Sequence, residues 1–133
     1  MKNVKLLFIF FLLLSCEKND KIKDCGCDSI TLKTIHESQE LTGIITFKAQ
    51  NKSNNYYTNS YWITYVEPNC SICVHHMIVC NEYILNDFAD LKSPPYNSTS
   101  VKFAGHLKEV CEKRFDTGNI TYQQITITKI EKQ

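Results

Sequence analysis

The stretch VHHMIVCNEYILNDFADL, residues 74–91, decides the predicted fold because its hydrophobic pattern changes partway along. Residues 74–80 are rich in apolar and β-branched side chains, which is typical of a β-strand. Asn81 is a good N-cap, and the apolar residues after it follow a helical spacing, at Ile84, Leu85, Phe88 and Leu91. The stretch therefore predicts a strand followed by one helix.

Two strands are predicted before this stretch and two after it. The five predicted strands cover residues 41–48, 61–66, 74–80, 100–107 and 120–130. Gly43 stands where the first strand is expected to bend or bulge. In the fourth strand Val101, Phe103, Gly105 and Leu107 share one face, and in the fifth Ile125 and Ile127 do so. Pro94-Pro95 forbids continuation of the helix.

The order β-β-β-α-β-β resembles that of the OB-fold, a five-stranded barrel, over residues 41–130. The fourth strand also resembles the V-x-F-x-G pattern of small OB-like lipoproteins, in Val101-Lys-Phe-Ala-Gly105. The fold class is therefore predicted as mainly β, a five-stranded OB-like barrel with one helix. A small α+β sandwich is the alternative.

The N-terminus has the pattern of an export signal. Lys2 and Lys5 form a positive region, and the apolar run of residues 6–14 is too short to span a bilayer as a helix. Leu13-Leu-Ser-Cys16 resembles the bacterial lipobox, which implies cleavage before Cys16 and lipidation of its thiol. The predicted divisions are a signal peptide (1–15), a lipidated N-terminus and polar tether (16–29) and one OB-like domain (30–133).

These features predict a lipid-anchored protein of the outer membrane, because Glu17 departs from the aspartate of the inner-membrane retention signal. The periplasmic and cell-surface sides both remain open. Loss of residues 1–15 leaves 13 basic against 14 acidic side chains, which provides no basic surface for nucleic acid. The expected partners are the membrane, through the lipid, and a glycan, peptide or protein ligand.

Six cysteines remain besides Cys16, and an even number in an exported domain favours structural disulfides. They are Cys25, Cys27, Cys70, Cys73, Cys80 and Cys111. Cys25 and Cys27 are not expected to pair with each other, because one intervening residue strains the bridge. One or both are expected to reach the Cys70–Cys73 loop, with Cys80 and Cys111 as a second pair.

The spacing of the cysteines also suggests three functions other than structural disulfides. A c-type haem motif needs histidine directly after the second cysteine, where Val74 stands. A zinc or copper site would use Cys70, Cys73 and Cys80, with Cys25 and Cys27 as distant donors. Only one of His75 and His76 would join it, because consecutive residues of a strand face opposite sides. Cys70-x-x-Cys73 also fits a redox dithiol. The alternative function is thus thiol-redox or metal handling at Cys70 and Cys73, while no metal and no cofactor are expected.

A binding module is the favoured function because aromatic residues concentrate in the first long loop and the second strand. In OB-folds that loop and the face of strands two and three bind oligonucleotides or oligosaccharides. The candidate binding residues are Tyr56, Tyr57, Tyr61 and Trp62, for which a place in the core is the alternative.

No catalytic residues are assigned, and an enzyme has no support from any motif. Ser29 matches a bacterial O-glycosylation pattern, Asp28-Ser-Ile30.

Overall fold

The computed structural model describes residues 23–116 and 118–133, which contain six β-strands. The strands are β1 (Lys33–Ile35), β2 (Thr42–Lys48), β3 (Ser60–Val66), β4 (Val74–Val79), β5 (Ser98–Glu109) and β6 (Ile120–Lys132). Short 3-10 helices cover Glu37–Gln39, Glu82–Ile84 and Asn86–Lys92. The predicted signal peptide, Cys16 and residues 17–22 of the predicted tether lie outside the described residues.

Five of the strands close into a barrel in the order β2-β3-β4-β6-β5, with β5 pairing back to β2. All pairs of this ring are antiparallel except β4 with β6, which run parallel. The predicted mainly β fold with a five-stranded OB-like barrel is therefore confirmed. The unpredicted strand β1 pairs with β5 beyond the end of β2; at three residues it is too short to show an alternating pattern.

The barrel interior is filled by the inward side chains of each strand. Val101, Phe103 and Leu107 are buried in it, and so are Ile125 and Ile127, as their alternation predicted. Hydrophobic burial on one face of every strand is the main contribution to the stability of such a barrel. The polar side chains between them remain on the outside, where the candidate site lies.

The predicted helix between the third and fourth predicted strands is present, but its turns are of the 3-10 type. Leu85, Phe88 and Leu91 are spaced by three residues and are all almost completely buried. A 3-10 helix has three residues per turn, so it aligns these side chains on one face, whereas an α-helix would spread them. Tyr61 in β3 donates a hydrogen bond from its hydroxyl to the Phe88 carbonyl at 2.9 Å, which fixes the helix over one end of the barrel.

Asn81 precedes these turns but does not cap them with its side chain. Its Nδ2 donates to the Ile127 carbonyl and its Oδ1 accepts from the Ile127 amide, both at 2.8 Å. The predicted N-cap role of this side chain is therefore wrong. The buried amide instead pairs with the backbone of β6, where it satisfies two polar groups that burial would otherwise leave without partners.

The barrel has a β-bulge in β6, and not in β2 at Gly43, where the sequence predicted a bend or bulge. Gly43 pairs regularly with Val101, and a Cβ there would lie 2.8 Å from the Thr64 carbonyl oxygen, so the glycine permits close approach of two strands. The register of β5 and β6 shifts between Ala104 and Gly105, which leaves Thr128 as the extra residue of β6. This bulge bends the two longest strands where the barrel closes.

Residues 23–29, the end of the predicted tether, form a segment that we call the strap. Two disulfides attach it to the barrel, Cys25–Cys111 and Cys27–Cys80. The Gly26 amide also donates to the Glu109 carbonyl at 2.8 Å. The strap therefore covers the outside of the barrel at the ends of β4 and β5.

Candidate functional site

A second hydrophobic cluster lies outside the barrel, on the face formed by β3, β4 and β6. Its buried members are Tyr56, Trp62, Ile78 and Val110, and Tyr57 and Tyr122 pack against them. We call this set the outer aromatic cluster. Two loops supply half of it, residues 49–59 after β2 and residues 110–119 after β5, although Thr117 is not described.

Side chains of the first loop hold the loop in shape before it reaches the cluster. The Asn51 Oδ1 accepts from the amides of Ser53 and Asn54, and the Asn54 Oδ1 accepts from the Tyr56 amide. Asparagine commonly replaces backbone partners in this way. The polar composition of residues 49–60 therefore directs the loop into turns that bring two tyrosines onto the barrel.

The tyrosine hydroxyls bind the two loops to each other. Tyr56 donates to the Glu112 carbonyl at 2.9 Å, and the Tyr57 hydroxyl accepts from the amides of Cys111 and Glu112 at 3.1 and 3.3 Å. The Trp62 indole donates to the Tyr57 carbonyl at 3.0 Å. Burial raises the pKa of Tyr56 to about 12, so its hydroxyl stays protonated and able to donate.

The four candidate binding residues do not form an exposed patch. Tyr61 lies in the barrel core with 1% of its surface exposed, and Trp62 and Tyr56 are only 6% and 7% exposed. Tyr57 is partly buried between the loops. Three of these rings, Tyr56, Tyr61 and Trp62, therefore pack in cores, which is the alternative that the sequence left open. Tyr61 and Trp62 enter different clusters because consecutive residues face opposite sides of a strand.

A shallow groove of about 360 Å³ crosses the barrel beside this cluster. Its lining combines aromatic, hydroxyl and cationic side chains, from Thr46, Phe47, Lys48, Trp62, Thr64, His76, Arg114 and Tyr122. We call it the cationic groove. It lies on the outer face of β3 and β4, which are the second and third predicted strands and form the binding face of an OB-fold. Its cationic lining differs from the four aromatic residues that were predicted to bind.

Lys48 and Arg114 supply the positive charge of the cationic groove. The Lys48 Nζ lies 4.2 Å from the centre of the Trp62 ring and donates to the Tyr56 carbonyl at 2.8 Å. The Arg114 guanidinium lies 5.9 Å from the centre of the Tyr122 ring. Burial lowers the pKa of Lys48, and the charge of Arg114 lowers it further. The groove therefore places two mutually repelling cations over electron-rich ring faces.

His76 and Tyr122 form the floor of the cationic groove. Their rings stack with centres 5.2 Å apart, and the His76 Nδ1 shares a 3.0 Å hydrogen bond with the Thr64 hydroxyl. Burial lowers the pKa of His76, which favours the neutral imidazole. The Tyr122 hydroxyl donates to Asp116, and burial followed by this bond raises its pKa. Asp116 also pairs with Arg114 at 3.7 Å, so one carboxylate contacts two groups of the groove.

His75 points to the opposite face from His76, as the alternation predicted. Its Nδ1 lies 2.7 Å from the Thr121 hydroxyl and its Nε2 lies 2.8 Å from Glu67. Its ring stacks on Tyr65 at the rim of a second cavity of about 270 Å³ at the barrel end. The two histidines therefore cannot contribute to one metal site.

The six cysteines form three disulfides, as expected, but the predicted pairing is wrong. Neither Cys25 nor Cys27 reaches the Cys70–Cys73 turn, and Cys80 does not pair with Cys111. The strap passes beside both Cys80 and Cys111, so its two cysteines take one each. Cys70 and Cys73 pair with each other in the turn between β3 and β4. Within residues 23–116 and 118–133, no group of three or more potential metal-binding side chains comes together.

Ser29, the candidate glycosylation residue, lies in the strap with 5% of its surface exposed. Its hydroxyl faces the Ile30 carbonyl at 3.5 Å, and Lys108 donates to the Ser29 carbonyl at 3.1 Å. A glycan on this hydroxyl does not fit the folded position. The short pattern in the sequence carried no information about this burial.

Sequence reasoning missed Lys48, Arg114 and His76 as groove residues. Lys48 ends one strand, Arg114 follows another, and His76 was considered only for metal binding. Charge and alternation show which residues face outward, but they do not show that residues 48 and 114 meet on one face. The closed strand order brings them together, and it became visible only in the structure.

No helix of the described residues is both long and apolar enough to cross a membrane. The sequence matches no protein-family model and no curated protein.

Proposed function

We propose that this chain is a non-enzymatic binding module, held at the outer membrane by a lipid on Cys16, and that its cationic groove binds an acidic glycan. The export signal and lipobox support the location. The groove supports the binding role. The polar segment after Cys16 would hold the barrel a short distance from the bilayer.

The observation that best supports the binding of an acidic ligand is the pair of cations in the cationic groove. Among the described residues Lys48 forms no ion pair, and Arg114 has only Asp116, at 3.7 Å. Burial lowers the pKa of Lys48 and the nearby charge of Arg114 lowers it further, so the two cations repel each other. An anion between them would relieve this repulsion and gain charge-assisted hydrogen bonds.

The remaining lining favours a sugar over a peptide. Thr46 and Thr64 offer hydroxyls, and Tyr122 and His76 offer a stacked pair of rings for the apolar face of a sugar. An extended peptide commonly adds to a free sheet edge, whereas the strands beneath this groove are paired on both sides. A carboxylated sugar fits both the charge and the shape.

The test uses the full-length protein in detergent and measures its affinity for polygalacturonate, a carboxylated polysaccharide, with dextran as the uncharged comparison. We expect binding to polygalacturonate alone, weakened on the order of tenfold by Lys48→Gln or Arg114→Gln, because each loses a hydrogen bond to a charged group. Lys102→Gln is the matched control, since Lys102 pairs with Glu40 away from the groove. Equal affinity for poly-L-glutamate, or no effect of the groove variants, would refute the glycan proposal.

The membrane location is tested separately with Cys16→Ser in the producing cells. The lipidated protein should sediment with the membranes and partition into detergent, because two or three acyl chains give stable anchoring. The variant should lose both properties. Membrane retention of Cys16→Ser would contradict lipid anchoring without affecting the glycan proposal.

A further inference from the structure

The Cys70–Cys73 disulfide differs from the other two in what it holds together. Cys25–Cys111 and Cys27–Cys80 span 86 and 53 residues and attach the strap to the barrel, whereas Cys70–Cys73 spans 3 residues within one turn. A short bridge restricts the unfolded chain much less than a long one. The small Cys70–Cys73 ring therefore contributes least to holding the fold.

Backbone hydrogen bonds hold the same turn without help from the disulfide. The Cys70 amide donates to the Glu67 carbonyl at 3.1 Å, the Cys73 amide donates to the Cys70 carbonyl at 3.0 Å, and the Glu67 amide donates to the Cys73 carbonyl at 3.1 Å. The flanking strands β3 and β4 pair regularly up to Val66 and Val74. Breaking the bridge therefore leaves both cysteines in place, within reach of each other.

The surroundings of the bridge make its two sulfurs unequal. The Asn119 Nδ2 lies 3.7 Å from the Cys73 Sγ and donates to it. A donor of this kind stabilises a thiolate on Cys73 when the bridge opens. Cys70 and Cys73 are both half-buried and Ile72 between them is 64% exposed, so the bridge is partly accessible from solvent.

We propose that Cys70–Cys73 is a redox-active disulfide that exchanges with an extracytoplasmic dithiol protein, while the two strap disulfides stay oxidised. A thiolate of the dithiol attacks the Cys70 Sγ, the Cys70–Cys73 bond breaks, and Cys73 leaves as a thiolate beside Asn119. The second thiol of the partner then attacks the partner's own sulfur in the mixed disulfide and releases Cys70. Two electrons pass to Cys70 and Cys73, two protons follow through solvent, and the partner becomes a disulfide.

The exchange is tested on the full-length protein in buffers of reduced and oxidised dithiothreitol. Thiols are blocked with N-ethylmaleimide, and peptide mass spectrometry reports each cysteine. We expect Cys70 and Cys73 to become reduced at a dithiothreitol ratio at least about tenfold lower than the strap cysteines require, a difference of about 30 mV for a two-electron couple. Reduction of Cys70–Cys73 together with, or after, the strap disulfides would overturn the proposal.

The assigned direction of attack has its own test. Asn119→Ala should slow the reduction by about threefold to tenfold, because the leaving thiolate loses its donor. Asn97→Ala, at an exposed asparagine directly before β5, is the control and should react like the unmodified protein. In addition, Cys73→Ser should form a mixed disulfide with oxidised glutathione through Cys70. Unchanged kinetics in Asn119→Ala would overturn the assignment of Cys70 as the attacked sulfur.

Discussion

The barrel interior and the outer aromatic cluster are two cores of different kinds. The interior is built mainly from aliphatic side chains, and its largest fully buried polar ring, Tyr61, has a single hydroxyl partner. The outer aromatic cluster is built mainly from rings that donate or accept hydrogen bonds across two loops. The interior makes the barrel stable, whereas the cluster fixes the shape of the cationic groove beside it.

This difference separates stability from binding. A smaller side chain inside the barrel removes nonpolar contacts in the core against which all the barrel strands pack, so it lowers the free energy of unfolding. A change in the cluster removes one or two hydrogen bonds near the surface, so it mainly loosens the loop that follows Lys48 and the loop that carries Arg114. Variants in the barrel interior should therefore lower the stability of the whole fold, whereas variants in the outer aromatic cluster should have smaller effects on stability and act mainly on the loops.

The largest effect is expected from Ile63→Ala inside the barrel. Ile63 in β3 has no exposed surface, and its removal leaves a cavity among well-packed neighbours. The variant should lose about 2–5 kcal/mol of unfolding free energy in urea denaturation. Ile44→Ala, on the outward side of β2 with 43% of Ile44 exposed, is the control and should cost far less. Equal losses would contradict the assignment of Ile63 to the main core.

The barrel interior is also the part of the structure that the sequence predicted correctly. The alternation of Val101, Phe103 and Leu107 has a period of two and needs no information from other strands, so it predicted burial correctly. The change of period after residue 80 located the helix and hence the barrel order. The 3-10 form was missed because Ile84 was included in the apolar stripe, which gave it a period near 3.6 instead of three.

The second prediction concerns the outer aromatic cluster and is smaller. Tyr57→Phe removes the hydroxyl that accepts from the amides of Cys111 and Glu112. The cost should be about 1 kcal/mol, because both amides are near solvent and can bond to water. Hydrogen exchange at these two amides should accelerate, while amides in the centre of β3 stay protected. Tyr83→Phe is the control, since Tyr83 is 78% exposed; a similar acceleration there would contradict the loop-bridging role of Tyr57.

The candidate site was harder to predict because its residues are distant in the sequence. Arg114 and Lys48 meet only after β5 pairs with β2 and both loops fold over β3. The predicted disulfide pairing was wrong for the same reason. The closed strand order determines the path of the strap across the barrel, and cysteine spacing does not reveal it. Local patterns predicted the strands, while the long-range arrangement determined the site.

The smallest effect is expected from His76, and it appears only as pH is lowered. His76 lies on the floor of the cationic groove, where the charges of Lys48, Arg114 and Asp116 act on it, together with that of His75 on the opposite face of β4. Burial lowers its pKa from the ordinary 6.5, the nearby cations lower it further, and Asp116 partly opposes them. The folded protein therefore binds a proton at His76 more weakly than the unfolded chain does.

As pH falls below about 6.5, the unfolded chain takes up this proton first, so the free energy of unfolding decreases until the folded imidazole also becomes protonated. His76→Gln keeps a hydrogen-bonding group near Thr64 but cannot be charged, so its unfolding free energy should change less between pH 7 and pH 5. Urea denaturation at several pH values measures the difference in slope. His36→Gln, at an exposed histidine far from the groove, should keep the slope of the unmodified protein. If His76→Gln also keeps it, His76 has the same proton affinity in both states, and the groove floor is more hydrated than its packing indicates.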